Sequence, residues 1–289
     1  MPELPEVEIT RRRLEPFLVG RIVAGVETTR DSYVFLTRPS VLRRRLPGRS
    51  ILSLERTGKY LVAPLDNGER LLLHLGMTGQ LFAAGTASVR LLSSTAGAAL
   101  APDRQTAGFR PDAHTHLRLR FAGGGPEVFF RDVRKLGKIQ LLRPGESSPR
   151  LERLGADALR SRGPDLFDVT RGRRASVKTV LLDQSVLAGV GNIYADEALF
   201  LARIRPTRRA GRLSRAECRR MVAAVKRVLR RSIETGGASV SDPSGEEGPP
   251  LDERRVYGRA GEPCRRCDTP IRRVVVGGRS AHFCPRCQR

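Results

Sequence analysis

The sequence lacks an apolar run long enough to span a bilayer, and its first residues lack the basic start and apolar core of a secretory signal. Cysteine is scarce: five in 289 residues, four of them in two close pairs near the C-terminus, which is not a secreted disulfide framework. We therefore expect a cytoplasmic, nucleoid-associated protein with no membrane partner. Acidic residues are also short, 30 against 53 basic ones, which leaves a formal charge of +23. Lysine contributes little, so the excess is arginine, whose planar fork pairs well with phosphate. A charge of this size does not specify a fold, but it points to nucleic acid as partner ahead of an anionic membrane surface. The length suits about two domains with ordinary cores.

The stretch Met1-Pro2-Glu3-Leu4-Pro5-Glu6-Val7-Glu8 carries the first chemical signal. Methionine before proline is readily trimmed, which leaves a secondary amine on Pro2. Such an amine titrates near about 7.7 to 8, so a useful fraction is unprotonated at neutral pH. It is able to attack a sugar aldehyde carbon and form a Schiff base, with Glu3 and Glu6 close by as acids or bases. A plainer reading stands beside this one. Pro5 suits the first turn of a helix, and acids there oppose the helix dipole.

The spacing predicts a helix from Pro5 to about Leu18, with Val7, Leu14, Phe17 and Leu18 on one face. From Ile22 to about Phe82 strand patterns take over: Ile22-Val23, Tyr33 to Leu36, Ile51 to Leu54, Tyr60 to Leu65 and Leu71 to Met77. Asp66-Asn67-Gly68 is a hairpin turn signal. Lys59 follows Gly58 at a strand start, either as a solvated end or as a phosphate or substrate contact. Met77, beside Gly76, reads as core or as presented outward. Residues 83 to 112 are rich in Ala, Ser, Gly and Thr and read as a mobile loop or insertion. Strands resume at Thr115 to Phe121 and, after Gly123-Gly124-Gly125, at Val128 to Phe130. The basic turn from Arg131 to Lys138 either packs Leu136 back or offers Arg134 and Leu136 to a nucleic-acid groove. Together these patterns predict an α+β multidomain protein whose first part is a two-layer β domain.

Residues 144 to 149 read as a linker to a helical domain. A helix is predicted over Ala175 to Leu187, broken by Ala188-Gly189-Val190-Gly191, with Asn192 capping the next helix, Ile193 to Phe200. The amides near Gly191 and Asn192 suit an anion. Ser214 and Glu217 form a capping box for a long helix to about Ile233. Its stripe includes Cys218, read as a buried structural thiol, and its arginines make no individual claims. Residues 235 to 255 read as a flexible loop. Cys264, Cys267, Cys284 and Cys287 give C-x2-C-x16-C-x2-C, a fit to one tetrahedral structural zinc with no position open for water, preferred over disulfides or iron–sulfur. The stretch between the pairs reads as a hairpin that presents Arg279.

Taken in order, these motifs resemble the formamidopyrimidine-DNA glycosylase (Fpg/Nei) family. The resemblance rests on Pro2 to Glu6, Lys59, His74-Leu75-Gly76-Met77-Thr78-Gly79, Asp132 to Gly137, Gly191-Asn192-Ile193-Tyr194-Ala195-Asp196-Glu197, Val256-Tyr257-Gly258 and the four-cysteine finger. It implies a catalytic N-terminal β-sandwich with flanking helices (2–145), a helical domain bearing a helix-two-turns-helix (150–258) with a lesion-recognition loop at about 235–255, and a β-hairpin zinc finger (259–289). DNA would run between the first two. It implies a bifunctional glycosylase/AP lyase for oxidised purines, acting as a monomer on damaged double-stranded DNA with one structural zinc and no catalytic metal. Pro2 would be the nucleophile and Glu3 the acid/base, with Glu6 supporting the site and Lys59 contacting DNA or lesion. His74, Asn192, Tyr194 and Arg279 would bind DNA around the flipped nucleotide. Met77, Arg134 and Leu136 would fill the void. Leu4 between Glu3 and Pro5 resembles the purine-type branch. Two positions depart from the family: Leu136 where phenylalanine is frequent, and Pro243 where an aromatic residue is common. An oxidised-pyrimidine glycosylase and a non-catalytic zinc-ribbon protein are the rival readings.

Overall fold

The structure, a computed structural model, describes residues 2–84, 110–236 and 254–289. Most of the expected 83–112 insertion and of the 235–255 loop, including Pro243, lies outside them. Among the described residues the chain divides into two compact units, one ending at Pro149 and one beginning at Arg150.

The first unit opens with α1 (Leu4–Leu18). Val7, Leu14 and Leu18 point into the core as the helical spacing predicts, while Phe17 is half-buried at its edge. Two antiparallel four-stranded sheets follow. One joins β1 (Val23–Thr28), β6 (Thr115–Phe121), β7 (Val128–Asp132) and β5 (Gly79–Ala83) in the order β1-β6-β7-β5. The other joins β2 (Glu55–Thr57), β3 (Tyr60–Pro64), β4 (Arg70–His74) and β8 (Lys138–Leu142) in chain order. Alternation sets the facing: Leu117, Leu119 and Phe121 of β6 go inward, and Arg118 between them pairs outward with Glu27 and Glu127. Leu61, Leu71, Leu73, Ile139 and Leu141 of the second sheet share one apolar cluster with Val26, Leu81 and Phe130 of the first. That shared layer makes the pair a sandwich. The Asp66-Asn67-Gly68 turn joins β3 to β4, with Gly68 at φ +81°, a conformation only glycine adopts cheaply.

The first unit differs from the sequence reading in four places. Tyr33 to Leu36 is not a strand but a turn: Tyr33 is 87% exposed, and Phe35 makes only a single bridge to Ile139. Ile51 to Leu54 likewise yields only an isolated bridge, Ile51 to Leu65. A short helix, α2 (Pro39–Arg45), was not anticipated, although Pro39 sits where a helix start tolerates proline. The Arg131–Lys138 turn is shorter than expected, because Arg131 and Asp132 complete β7 and Lys138 begins β8.

A one-turn helix, α3 (Pro149–Glu152), starts on the last residue of the first unit, and the second unit continues with a short parallel pair, β9 (Ala156–Asp157) with β10 (Leu187–Ala188). Then come α4 (Gly163–Thr170), α5 (Val177–Leu182), α6 (Asn192–Leu201) and the 20-residue α7 (Arg215–Glu234). The helix predicted to reach Leu187 stops at Leu182. There the Asp183 carboxylate takes the Ser185 N–H and hydroxyl at 3.0 and 2.6 Å, a local turn that competes with helix. The capping box of Ser214 and Glu217 forms as predicted, and Cys218, Met221, Val222, Val225 and Leu229 are buried. Burial raises the Cys218 thiol pKa, as suits an inert thiol. A hairpin of β11 (Arg272–Val276) and β12 (Arg279–Phe283) ends the chain between the cysteine pairs.

Candidate active site

Pro2, Glu3 and Glu6 are all buried at the start of α1. The Glu3 N–H donates to Glu6 Oε2 at 2.8 Å, and the Glu3 side chain accepts from the Glu6 N–H. The plain reading of this stretch is therefore met in full, since Glu3 and Glu6 make a reciprocal capping box. The same bonds fix the Pro2–Glu3 peptide to a helix that packs on β2, β3 and β5. Such a terminus holds a reactive nitrogen more precisely than a frayed one does.

Lys59 is also buried and occupies the two-residue turn joining β2 to β3, with Gly58 at φ +58°. Arg56 ties this turn to α1: its Nε donates to Glu8 Oε2 at 3.0 Å and its Nη1 to the Gly58 carbonyl at 2.9 Å. Arg11 and Arg12 bind the same carboxylate at 3.1 and 2.9 Å. Burial alone would raise the Glu8 pKa, but these three arginines outweigh it and hold it below its ordinary value. Glu8 and Arg56 were not singled out from the sequence.

The expected void-filling residues come together on two loops. Met77 is 39% and Leu136 41% exposed, and Arg134 is exposed beside it. A Cβ on Gly76 (φ +63°) would lie 2.5 Å from Leu136 C and Gly137 N, so the two loops touch backbone to backbone. Asp132, fully buried, ties them together. Its Oδ2 accepts the Gly137 N–H at 2.6 Å, and its Oδ1 accepts the Thr78 hydroxyl at 2.5 Å and the Arg134 N–H at 3.2 Å. An acid closing the apolar run Val128-Phe129-Phe130 was the signal that would have found it. On the neighbouring strand, His74 stacks on Tyr60 at 4.6 Å between ring centroids, and its Nδ1 accepts the Gly76 N–H at 3.2 Å. That bond puts the neutral ring's proton on Nε2, the form that donates to a phosphate.

In the second unit Asn192 opens α6 as its first residue, so Gly191 and not Asn192 is the N-cap. Asn192 Nδ2 donates to Ser280 Oγ at 3.3 Å, which brings it next to Arg279. Arg279 is exposed at the hairpin tip, where Gly277 and Gly278 at φ +57° and +74° make the turn that two-residue hairpins favour. Below them lies a buried ionic network. Lys178 Nζ donates to Asp196 Oδ1 and to the Ser280 carbonyl, both at 2.5 Å, and Asp196 Oδ2 accepts the His282 N–H at 2.8 Å. The Glu197 carboxylate accepts the N–H groups of Arg255, Val256 and Tyr257 at 2.9 to 3.1 Å. Two acids within the apolar Ile193–Leu201 helix were the available hint. The Tyr194 side chain is not placed to contact DNA. It is 2% exposed, and its hydroxyl meets Ser232 Oγ at 2.6 Å, so the ring belongs to the packing of α6 on α7.

The Sγ atoms of Cys264, Cys267, Cys284 and Cys287 lie within 4.8 Å of one another. Close pairs run from 3.4 to 3.9 Å. Four thiolates about 2.3 Å from one zinc would stand about 3.8 Å apart, so the set fits that ion. Burial and the neighbouring sulfurs push Cys287 up to about 12, while the Thr269 hydroxyl brings Cys267 down to about 6. A divalent cation is what lets four such sulfurs ionise together.

Three family models match the chain in order: the formamidopyrimidine-DNA glycosylase N-terminal domain over residues 1–139, the H2TH domain of the same enzymes over 154–244, and the zinc finger found in FPG and IleRS over 261–289. The chain belongs to the formamidopyrimidine-DNA glycosylase family. A formamidopyrimidine-DNA glycosylase of Cupriavidus pinatubonensis is 43% identical over all of both chains, and one of Symbiobacterium thermophilum is 41% identical over all of this chain and 89% of the other. The Lactococcus lactis Fpg in complex with DNA containing an abasic site superposes with a TM-score of 0.82 at 31% identity, over 99% of each chain. A MutM in complex with DNA containing carbocyclic 8-oxo-G gives 0.83 at 32%, over all of both. In this family member the three matched segments follow the order of sandwich, helices and finger already described.

Proposed function

We infer that the protein is a bifunctional DNA glycosylase and AP lyase that removes oxidised purines, 8-oxoguanine and formamidopyrimidines, from duplex DNA and then cuts the strand. The supporting observation is the buried Pro2–Glu3–Glu6 terminus locked onto α1, in a chain that relatives of this family match over its whole length.

Extruding a damaged nucleotide costs a few kcal/mol. Met77, Arg134 and Leu136 offset that cost by filling the gap, which their exposure on abutting loops supports. Leu136 interrupts stacking as an apolar wedge without an aromatic face. His74 through Nε2, and Asn192 and Arg279 from the second unit, hold phosphates, and Lys59 contacts DNA or the lesion. After Met1 is removed, the Pro2 nitrogen attacks C1′ as the C1′–base bond breaks. Glu3 delivers a proton to the sugar oxygen as the ring opens, and Glu6 holds the Glu3 peptide in place. The iminium so formed acidifies the sugar protons. β-Elimination expels the 3′ phosphate and δ-elimination the 5′ phosphate, which leaves a one-nucleotide gap. These steps draw on no catalytic metal. The four cysteines would hold one zinc ion per chain, which fixes the finger's fold and with it the Arg279 hairpin. The same reading has the enzyme acting as a monomer in the cytoplasm on nucleoid DNA.

A lesion panel tests it. Duplexes with 8-oxoguanine opposite cytosine are expected to be cut to the one-nucleotide gap faster than duplexes with thymine glycol. A preference for thymine glycol would favour the oxidised-pyrimidine reading instead, and binding without any cleavage the non-catalytic one.

A further inference from the structure

In the second unit α6 and β12 run side by side, and three contacts fix their direction. Asn192 meets Ser280, Asp196 meets His282, and Phe200 packs with Cys264 and Cys284. Asn192 and Arg279 therefore mark one end of this layer and Phe200 with the zinc knuckle the other. The two ends are about 12 Å apart along α6.

At the Phe200 end lies an open cavity of about 1030 Å³ bordered by six arginines and one lysine, against the single carboxylate of Glu234. Lys226, Arg227 and Arg230 come from one face of α7, Arg255 from the segment anchored on Glu197, and Arg265 and Arg266 from between the first two zinc-finger cysteines. Among the described residues no carboxylate lies within ion-pair distance of Lys226, Arg227, Arg230, Arg255 or Arg266. Some arginines outside the groove are held by carboxylates, as at Glu8 and Glu127. Arg266 is also held in place: its guanidinium sits 4.8 Å over the ring of buried Phe200, on a loop clamped by Cys264 and Cys267. An unpaired cation held by stacking is preorganised for an anion. Arg266 also borders a second cavity, of about 750 Å³, where Arg203, Arg208, Arg220, Arg286 and Arg289 outnumber the two carboxylates, Asp268 and Glu217, the latter paired with Arg208 and within 4.0 Å of Arg220. A track that extends over two cavities suits a polymer of phosphates better than one small anion.

We propose that this basic groove binds the phosphate backbone of a second segment of DNA, separate from the segment held at Asn192 and Arg279. Its choice of ligand rests on the DNA-repair reading above. The groove would keep the enzyme on DNA while the other face searches for lesions, because backbone contacts of this kind are independent of sequence.

The test occupies the first face before probing the second. The full-length protein is trapped with borohydride on a short lesion duplex, and the purified adduct is titrated with labelled undamaged duplex over a salt series. The adduct is expected to bind the probe. The triple variant Arg227→Gln, Arg230→Gln, Arg266→Gln is expected to lower the salt slope of that binding by about 2 to 3, since each lost phosphate contact removes about 0.9. Its affinity should fall at least about ten-fold while zinc content and single-turnover cleavage of the short lesion duplex stay at the parent's level. An adduct that binds no second duplex, or a variant whose slope equals the parent's, would overturn the proposal. Displacement of the probe by polyglutamate as readily as by unlabelled DNA would overturn its assignment to nucleic acid. If no covalent adduct forms, the catalytic reading is the one that fails, and the groove is read from the salt slope of the free variant against the free parent.

Discussion

Replacing Asp132 with asparagine keeps the shape of the side chain and removes its charge. The parent carboxylate accepts the Gly137 N–H at 2.6 Å, the Thr78 hydroxyl at 2.5 Å and the Arg134 N–H at 3.2 Å, all around a fully buried side chain. Asparagine offers one acceptor oxygen and one NH2. With its NH2 toward Gly137 a donor meets a donor and that buried N–H is left unsatisfied; with its NH2 toward Thr78 the charge-assisted bonds from Thr78 and Arg134 are lost, although the Arg134 N–H keeps the Thr78 oxygen at 3.2 Å. The cost is about 2 to 4 kcal/mol, spent on the alignment of the Met77 and Leu136 loops. If all of it is felt when the nucleotide is extruded, excision slows by about 30- to 700-fold, at about 1.4 kcal/mol for each factor of ten. A preformed abasic site has no base to extrude, so its cleavage depends less on these loops. Single-turnover excision of 8-oxoguanine opposite cytosine should therefore fall at least about ten-fold further than cleavage at an abasic site. Parent-like rates on both substrates, or an equal fall on both in a folded variant, would refute the role assigned to Asp132.

Cys264→Ser should lower zinc content and DNA affinity together, because the Arg279 hairpin loses its clamp; full zinc retention by metal analysis would count against the four-thiolate site. Lys178→Met leaves the Asp196 carboxylate buried without its cation, at a cost of about 3 to 5 kcal/mol. A urea melt unchanged from the parent would contradict that. Acid stability should report on Glu8. Its folded pKa lies below the unfolded value, so its contribution is complete above the ordinary carboxylate range and is lost as pH falls through the depressed folded value. Glu8→Gln should narrow the difference in urea midpoint between about pH 7 and about pH 3, and an unchanged difference would exclude Glu8 as a source of it.

Much of the architecture was legible because it is written in local signals. Alternation identified β6 and its hairpin to β7, the Asp66-Asn67-Gly68 turn identified the β3–β4 hairpin, and the Ser214–Glu217 capping box marked the start of α7. What was missed depends on distant partners. Tyr33 to Leu36 has strand composition, but it meets the second sheet at a single bridge, so nothing extends it. Tyr194 has the chemistry of a phosphate contact, yet Ser232, 38 residues away, takes its hydroxyl. The terminal and finger motifs stood out because their chemistry needs particular residues close together in sequence. Asp132 and Asp196 lie in stretches that carried the resemblance, but the parts they and Glu8, Arg56 and Lys178 play were not legible, because each acts on partners distant in sequence.

The most direct measurement is mass mapping of the adduct formed when the enzyme is reduced with borohydride on abasic or 8-oxoguanine duplex. We predict one deoxyribose-linked modification on the nitrogen of Pro2, in a chain that has lost Met1, and its absence after Pro2→Gly. A modification on a lysine instead, or a parent-like yield from the Pro2→Gly variant, would contradict an N-terminal nucleophile.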